Sequence, residues 1–289
     1  MITMQPNFLQ RFLQQRLAMT GVVIILFLII LGVFAPYLAP HDPYLTNVKL
    51  KLINASVDYP LGTDQLGRCV FSRLIYGVRT SLSTAVLATA LMLSIGIPLG
   101  ILAGYVGGKT DNLIMRLVDI ASTFPSSLLA LAAIGITGPS LMTILLVFIT
   151  LWWAPFARII RGSVIALKEK DFIQAAISVG SPHRRIIFYH IIPNAMSSII
   201  VLATLRIAAV ITHVAAFSFI GLGSQPPIAD WGVMLSDSRQ YMTQYPMMII
   251  YPALAIMLSV WALNMIGEGL NDVLQNNAKA LDLKKQEEI

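Results

Sequence analysis

Long apolar runs, separated by shorter polar segments, follow one another along most of the chain. An α-helix needs about 20 mainly apolar residues to cross a bilayer. The pattern therefore predicts six spans, at 17–39, 82–104, 117–136, 141–160, 196–220 and 247–266. The third is the least regular, because Asp119 lies near one end and Pro125 lies inside it. Six spans place both termini on the same side of the membrane.

The first run is preceded by Arg11 and Arg16, as in a secretory signal peptide. It is too long for the apolar region of such a peptide, and no small-residue cleavage site follows it. We therefore predict an anchor that is not cleaved.

Composition supports a membrane protein, with 56% hydrophobic residues, 12% charged residues and a mean hydropathy of +0.75. An ordinary soluble domain has about 25% charged residues. The net charge of +6 is also typical of nucleic-acid binding, but no basic and aromatic cluster lies outside the apolar runs. The lone Cys69 excludes an intrachain disulfide and offers no metal-ligand spacing, so we interpret it as a packing residue.

The distribution of Lys and Arg among the loops predicts the orientation, because basic residues concentrate on the cytoplasmic side. With the N-terminus inside, the cytoplasmic segments hold 13 of them, namely Arg11, Arg16, Lys109, Arg116, Arg158, Arg161, Lys168, Lys170, Arg184, Arg185, Lys279, Lys284 and Lys285. The other side holds six, namely Lys49, Lys51, Arg68, Arg73, Arg79 and Arg239. The count favours cytoplasmic N- and C-termini.

The spans and their orientation together predict how the chain is organised, with no soluble domain and no internal repeat. It comprises a cytoplasmic N-terminus, a first transmembrane helix, an extracytoplasmic segment, a five-helix core that includes a polar loop at 168–193, and a cytoplasmic tail, with boundaries at 1–16, 17–39, 40–80, 81–268 and 269–289. Turn signals at 41–43 and 61–64 predict that the extracytoplasmic segment is an ordered cap. In the loop 224–246, Pro226-Pro227 breaks any helix, and Trp231 and Tyr241 suit the membrane interface.

The polar loop is predicted to contain an amphipathic helix over 171–179. The spacing places Phe172, Ile173, Ala176 and Ile177 on one helical face, and Gly180 permits a sharp turn after it. Ser181-Pro182 can then start a second short helix.

Two small residues, Ala175 and Ala176, are expected at the crest of this helix. Larger side chains there would hold a partner's backbone away, so the crest suits a groove on another protein. The alternative is an amphipathic helix on the membrane surface, anchored by Arg184 and Arg185.

Motifs in this loop resemble the coupling loop of ABC importer permeases, the EAA signature. They are Gln174-Ala175-Ala176, Gly180 and Ile191-Ile192-Pro193-Asn194. Three further segments, in the same order along the chain, look like the peptide/nickel permease family: 61–68 with 72–82, Asp119 with Phe124-Pro125, and 217–223 followed by Trp231-Gly232. Two residues depart from the pattern, because Gln174 stands where the signature has Glu and Cys69 where the family usually has Asp.

The resemblance implies an all-α integral membrane protein with the type I ABC importer permease fold and a cytoplasmic coupling helix. It implies a C-type permease in the bacterial inner membrane, paired with a homologous permease, two ATP-hydrolysing subunits and an extracytoplasmic solute-binding protein. The residues that it assigns to ATPase coupling are Gln174, Ala175, Ala176, Gly180 and Pro193. ATP binding would close the ATPase dimer and draw the two coupling helices together.

No nucleotide-binding role is expected of this chain itself. It lacks the Gly-x-x-x-x-Gly-Lys-Ser/Thr phosphate loop, so we expect it to bind neither ATP nor another cofactor, and no metal site is predicted. ATP would be used by the partner subunits.

Two ionisable residues in the fifth span are candidates for the translocation path. Arg206 lies near its centre and His213 follows seven residues later, about two helical turns along the same face. Such groups normally face a bundle interior or a watery cavity. The alternative for His213 is a hydrogen bond between helices.

The cargo prediction combines resemblance with charge. The stretch 213–217 looks more like the nickel branch, whereas peptide-transporting relatives tend to have an acidic residue just before the corresponding motif. Arg206 would repel a bare divalent cation but attract a carboxylate. We therefore favour nickel or a related metal carried as an anionic chelate or metallophore complex, with di- or oligopeptides as the alternative.

Two other classes of membrane protein fit the sequence less well than a transporter subunit. A polytopic membrane enzyme could use His41-Asp42, Asp64, His183 or His190, but these form neither a metal spacing nor a nucleophile motif. A stand-alone channel would have no use for the coupling loop.

Overall fold

The computed structural model describes residues 12–287. Residues 1–11 and 288–289, with Arg11 and the ends of the two predicted cytoplasmic segments, lie outside the described residues. The described helices are α1 Arg16–Val33, α2 Ala35–Leu38, α3 Val70–Val106, α4 Gly108–Thr123, α5 Ser126–Thr137, α6 Leu141–Lys168, α7 Asp171–Ser178, α8 His183–Ile186, α9 Ile192–Phe219, α10 Trp231–Ser238 and α11 Met247–Glu287.

Five of these helices, α1, α3, α6, α9 and α11, contain stretches long and apolar enough to cross a membrane. A sixth span results if α4 and α5 are taken together, because the two helices are bent by 72° at a short break. Pro125 explains the break, since it removes a backbone donor and disfavours the helical conformation of the residue before it. The all-α fold and the irregular third span agree with the sequence pattern.

Three helices extend beyond the predicted spans. Helix α3 has 37 residues and is therefore about 55 Å long, more than the roughly 30 Å of a hydrocarbon core. It begins at Val70 and so takes in the end of the segment 40–80 that was predicted to be external. Helix α6 continues to Lys168, and α11 continues to Glu287 through most of the predicted tail. Hydropathy marks the membrane-embedded part of a helix, whereas the backbone hydrogen bonds continue into the polar flanks.

Helices α3 and α6 approach each other closely along a stripe of three glycines. A Cβ atom at Gly96, Gly100 or Gly104 would lie within 2.7–2.8 Å of a carbonyl oxygen of α6. Small residues four apart allow two membrane helices to pack backbone against backbone. The same side of α6 carries fully buried Phe148 and Phe156.

Candidate coupling surface and translocation residues

The segment 168–193 forms two short helices joined by a tight turn at Gly180. Gly180 has a φ of +74°, a conformation that glycine adopts without the penalty of a Cβ atom. Its N–H donates to the carbonyl of Ile177, and the N–H of Ser181 donates to the carbonyl of Ala176. These bonds satisfy carbonyls at the end of α7, as in a Schellman motif. The turn predicted at Gly180 is therefore confirmed.

Helix α7 turns the middle of the predicted apolar face inward. Ile173 is fully buried, and Ala176 is half-buried and packs against the same core. Phe172 and Ile177, at the two edges of that face, are exposed. Residues three apart lie on one face of a helix, so Ile173 and Ala176 turn inward together. The prediction that both alanines form the crest was wrong for Ala176, because only Ala175 is exposed.

Exposed residues of α7, together with Val179 directly after it, are termed the coupling surface, namely Phe172, Gln174, Ala175, Ile177 and Val179. Its small centre at Ala175 is flanked by larger apolar side chains. Gln174 donates from its amide to the carbonyl of Lys168, at 2.7 Å. A glutamate could not make this bond, because an ionised carboxylate only accepts hydrogen bonds. The departure from the signature at position 174 therefore ties α7 to the end of α6.

The second half of the segment begins after Pro182 with α8 and continues into a π-helical turn over 187–191. Pro193 follows in the first turn of α9. Because proline has no N–H, the carbonyl of Tyr189 loses its ordinary helical donor. The wider turn is visible in the bond from the N–H of Ile192 to the carbonyl of Ile187. The segment 168–193 is termed the coupling segment, and Pro193 lies where it joins α9.

Arg206 and His213 share one neighbour on α6, Trp152. The Arg206 guanidinium carbon lies 5.0 Å from the centre of that ring and 5.5 Å from the centre of the Phe156 ring. The His213 imidazole meets Trp152 edge to face, with ring centres 4.8 Å apart. The seven-residue spacing therefore brings the two residues to one side of α9. His213 Nδ1 is bonded within its own helix, 2.8 Å from the carbonyl oxygen of Ala209, and not between helices.

Arg206 has no carboxylate within salt-bridge distance among the side chains that the structure describes. The two aromatic rings hold it by cation–π contacts, which leave the hydrogen-bonding edge of the guanidinium free of an ionic partner. Among all the residues that the structure describes, no three His, Cys, Asp or Glu residues cluster in a way that could hold a metal ion.

A buried ionic cluster joins the two segments that were predicted to be external loops. Arg68 Nε lies 2.6 Å from Asp64 Oδ2, and Arg68 Nη2 lies 2.8 Å from Asp237 Oδ2. Arg73 lies beside the same carboxylates and donates to the carbonyls of Pro43 and Pro227. Both arginines are only 1% exposed. The sequence motif contained Asp64 and Arg68 but gave no sign of Asp237.

Helix α10 is fastened to α3 beside this cluster. Trp231 is fully buried, donates from Nε1 to the carbonyl of Leu74 and lies against Gly77, where a Cβ atom would approach its ring to 2.6 Å. The prediction that Trp231 lies at the membrane interface is wrong, because the ring fills a space between helices. Asp230 accepts bonds from the N–H groups of Gly232 and Val233. Burial raises the pKa of Asp230 above its ordinary value, and these hydrogen bonds oppose the rise.

Comparison with known families explains this set of features. Residues 96–279 match the model of the binding-protein-dependent transport system inner membrane component, and residues 7–56 match the N-terminal transmembrane domain of oligopeptide transport permease C. The first match covers well over half of the chain. The chain belongs to this family. It is a multi-pass permease subunit of an ABC transporter rather than an enzyme.

Curated relatives include permeases named for different solutes. The dipeptide transport system permease protein DppC of Alkalihalophilus pseudofirmus is 42% identical, over 92% of this chain and 88% of the relative. The glutathione permease GsiD of Pectobacterium atrosepticum is 38% identical, over 95% and 91%. The nickel permease NikC of Escherichia coli is 36% identical, over 88% and 92%. These matches confirm the peptide/nickel permease family that the motifs indicated.

The fold is also similar to a solved transporter. The MetNI methionine ABC transporter, in its inward-facing conformations, matches with a TM-score of 0.51 at 18% identity, over 70% of this chain and 97% of that chain. The likeness supports the type I importer permease fold. An ABC permease implies ATPase and solute-binding-protein partners.

Proposed function

We propose that this chain is the C-type permease of an ATP-driven importer and pairs with a homologous second permease. Two ATP-hydrolysing subunits and an extracytoplasmic solute-binding protein complete the complex in the bacterial inner membrane, with both termini of this chain in the cytoplasm. The coupling surface is the contact for an ATPase. The geometry of α7 supports this assignment. Ala175 forms a small, exposed centre between larger apolar side chains, and the opposite side of the helix packs against the core.

The cargo that this proposal favours is a small solute carrying a carboxylate. The observation that carries it is Arg206, a cation on a membrane helix, held by two rings and without an ionic partner among the described side chains. Charged groups at this depth normally pair or face a water-filled cavity. A passing carboxylate would supply the missing partner, whereas a bare Ni²⁺ would be repelled.

Two solutes meet this condition. The sequence favours nickel or a related metal as an anionic chelate, and the resemblance of the 213–217 stretch supports that choice. Peptides also carry a terminal carboxylate, and the relatives named for dipeptides and glutathione are at least as similar as the one named for nickel. Di- or oligopeptide import is therefore the second candidate.

Charge reversal at Arg206 tests the proposal. Arg206→Glu should reduce uptake of an anionic nickel chelate or of a dipeptide by about tenfold or more, a change of about 1.4 kcal/mol. Arg206→Lys retains the charge and should retain most uptake, and His213→Ala should have the smaller effect. The measurement is uptake of radiolabelled nickel, with and without chelator, and of a radiolabelled dipeptide by the complete complex.

Two control variants make the result specific. Arg79→Glu reverses an exposed charge elsewhere on the chain and should leave uptake unchanged. Arg206→Met keeps an apolar stem but removes the charge. Uptake that is equal in Arg206→Glu and wild type for every solute would show that Arg206 only packs against α6, and the cargo proposal would fail.

A further inference from the structure

Coupling requires more than a docking surface, because a moving surface must be fastened to the helices that it displaces. The inner side of the coupling segment is anchored by the fully buried residues Ile173, Ile186 and Ile191. Apolar contacts of this kind are non-directional. A directional link to a particular helix needs hydrogen bonds.

Such a link converges on Tyr105, in the last turn of α3. Its hydroxyl lies 2.7 Å from Nδ1 of His183, the first residue of α8, and the two rings meet edge to face with centres 5.6 Å apart. Its carbonyl oxygen accepts a bond of 2.7 Å from Nζ of Lys168, the last residue of α6. Helix ends leave carbonyls without a helical donor, and a lysine at that end satisfies one of them and suits the helix dipole.

The surroundings of Tyr105 make the link mechanically useful. Gly104, the preceding residue, is the last of the three glycines that hold the backbone of α3 against α6. At the other end of α3, Gly77 lies against Trp231, and Arg73 belongs to the buried ionic cluster. One continuous helix therefore connects the coupling segment with the cap at the opposite face of the membrane.

We propose that Tyr105 and His183 are positioning residues that fasten the coupling segment to α3. Through this hydrogen bond, a displacement of α7 and α8 moves the α3–α6 pair and the cap at the far end of α3. Lys168 reinforces the link from α6 and, through its carbonyl, holds Gln174 at the same junction. This inference rests on the proposed role of the coupling surface as the ATPase contact.

A cargo-independent experiment tests the link in the complete reconstituted complex. A spin label at Ser83→Cys on α3, in a Cys69→Ser background, reports motion of α3 when ATP and vanadate trap the ATPase subunits. Wild type should show a change in the label's spectrum. Tyr105→Phe or His183→Ala should reduce the fraction that changes by about fivefold, the effect of losing one hydrogen bond of ordinary strength.

Matched variants separate positioning from simple stability. His183→Asn keeps a polar atom near the place of Nδ1 and should keep the change, as should Tyr37→Phe, which removes an exposed hydroxyl elsewhere. The double variant Tyr105→Phe/His183→Ala should be no worse than either single variant, because both remove the same bond. ATPase subunits should copurify normally with all of them.

Two results would overturn the inference: a spectral change that survives in both Tyr105→Phe and His183→Ala, or a wild-type α3 that does not respond to trapped ATPase. Failure of the proposed function itself has another signature. In that case ATPase subunits would not associate with the wild-type chain at all.

Discussion

Arg68 and Arg73 are fully buried, charged side chains in a segment that sequence alone describes as an external loop. Placing such charges out of water is costly, and here two carboxylates, Asp64 and Asp237, compensate for it. Removing one partner of a buried ion pair leaves the other without compensation, which typically costs about 3–5 kcal/mol. The cluster therefore holds the cap and α10 together as one unit.

Substitution at Arg68 should reveal this dependence. Arg68→Met should destabilise the purified chain by about 3 kcal/mol or more, because Asp237 and Asp64 lose their shortest ionic contacts. Arg79→Met, at an exposed arginine of the same segment, should change stability by less than about 0.5 kcal/mol. Thermal unfolding in detergent, followed by loss of monodisperse protein, measures both. Equal melting temperatures for the two variants would contradict the assigned role of the cluster.

The residues of this cluster show which contacts a sequence can predict and which it cannot. Asp64 and Arg68 belong to one motif and are four residues apart, so their proximity is local. Asp237 lies 169 residues from Arg68, and no local pattern pairs them. Trp231 illustrates the same limit, because an aromatic residue in a loop is equally consistent with a membrane interface and with the buried space that it fills beside Gly77.

At the scale of elements, the sequence predicted best what depends on neighbouring residues. The turn at Gly180 and the second helix after Pro182 follow from local backbone chemistry, and the span that looked least regular in the sequence is the one that is broken beside Pro125. The apolar face of α7 was also predicted, but the crest was not, because Ala176 was assigned both to that face and to the crest. The core, through Ile173 and Ala176, makes the choice.

With Ala175 alone at the crest, the contact with the ATPase can be tested more sharply. Ala175→Trp should prevent the ATPase from binding to the coupling surface and should reduce recovery of ATPase subunits by about tenfold. The reason is that the indole would clash with the ATPase where the small alanine side chain allows close contact. Gly180→Val should also impair uptake, since a β-branched residue strongly disfavours a positive φ. Copurification from membranes and uptake by the intact complex are the measurements.

The control for this prediction is Ala55→Trp, the same substitution at an exposed site in the cap. It should leave ATPase recovery at the wild-type level. Normal recovery with Ala175→Trp would remove the coupling surface as the ATPase contact. Ala176→Trp is unsuitable for this purpose, because it would disturb the core first.

At the scale of the whole molecule, the described residues contain five helices that can cross a membrane, or six crossings if the bent pair α4 and α5 is one span, and these connect a basic face with a face that carries the cap. The 13-to-six distribution of Lys and Arg predicts that the basic face, with Lys168 and Lys285, is cytoplasmic and that Asp64 and Trp231 lie on the external side. Hydropathy locates the membrane crossings, but it does not distinguish the cytoplasmic end of a span from the external end. Orientation therefore depends on the charge bias of the loops.

Cysteine labelling can establish the direction if the sites are accessible. Asp64 and Trp231 are buried and would resist any reagent, so the external probes are Val57→Cys, at a side chain that is 99% exposed, and Thr243→Cys, at an exposed position. The cytoplasmic probe is Lys109→Cys, at an exposed position in the first turn of α4. All three are placed in a Cys69→Ser background. An impermeant maleimide added to intact spheroplasts should modify positions 57 and 243 but not 109, and inside-out vesicles should give the reverse pattern. Modification of position 109 in intact spheroplasts would show that the orientation is the opposite of the predicted one. The coupling surface would then lie on the external side, away from cytoplasmic ATP.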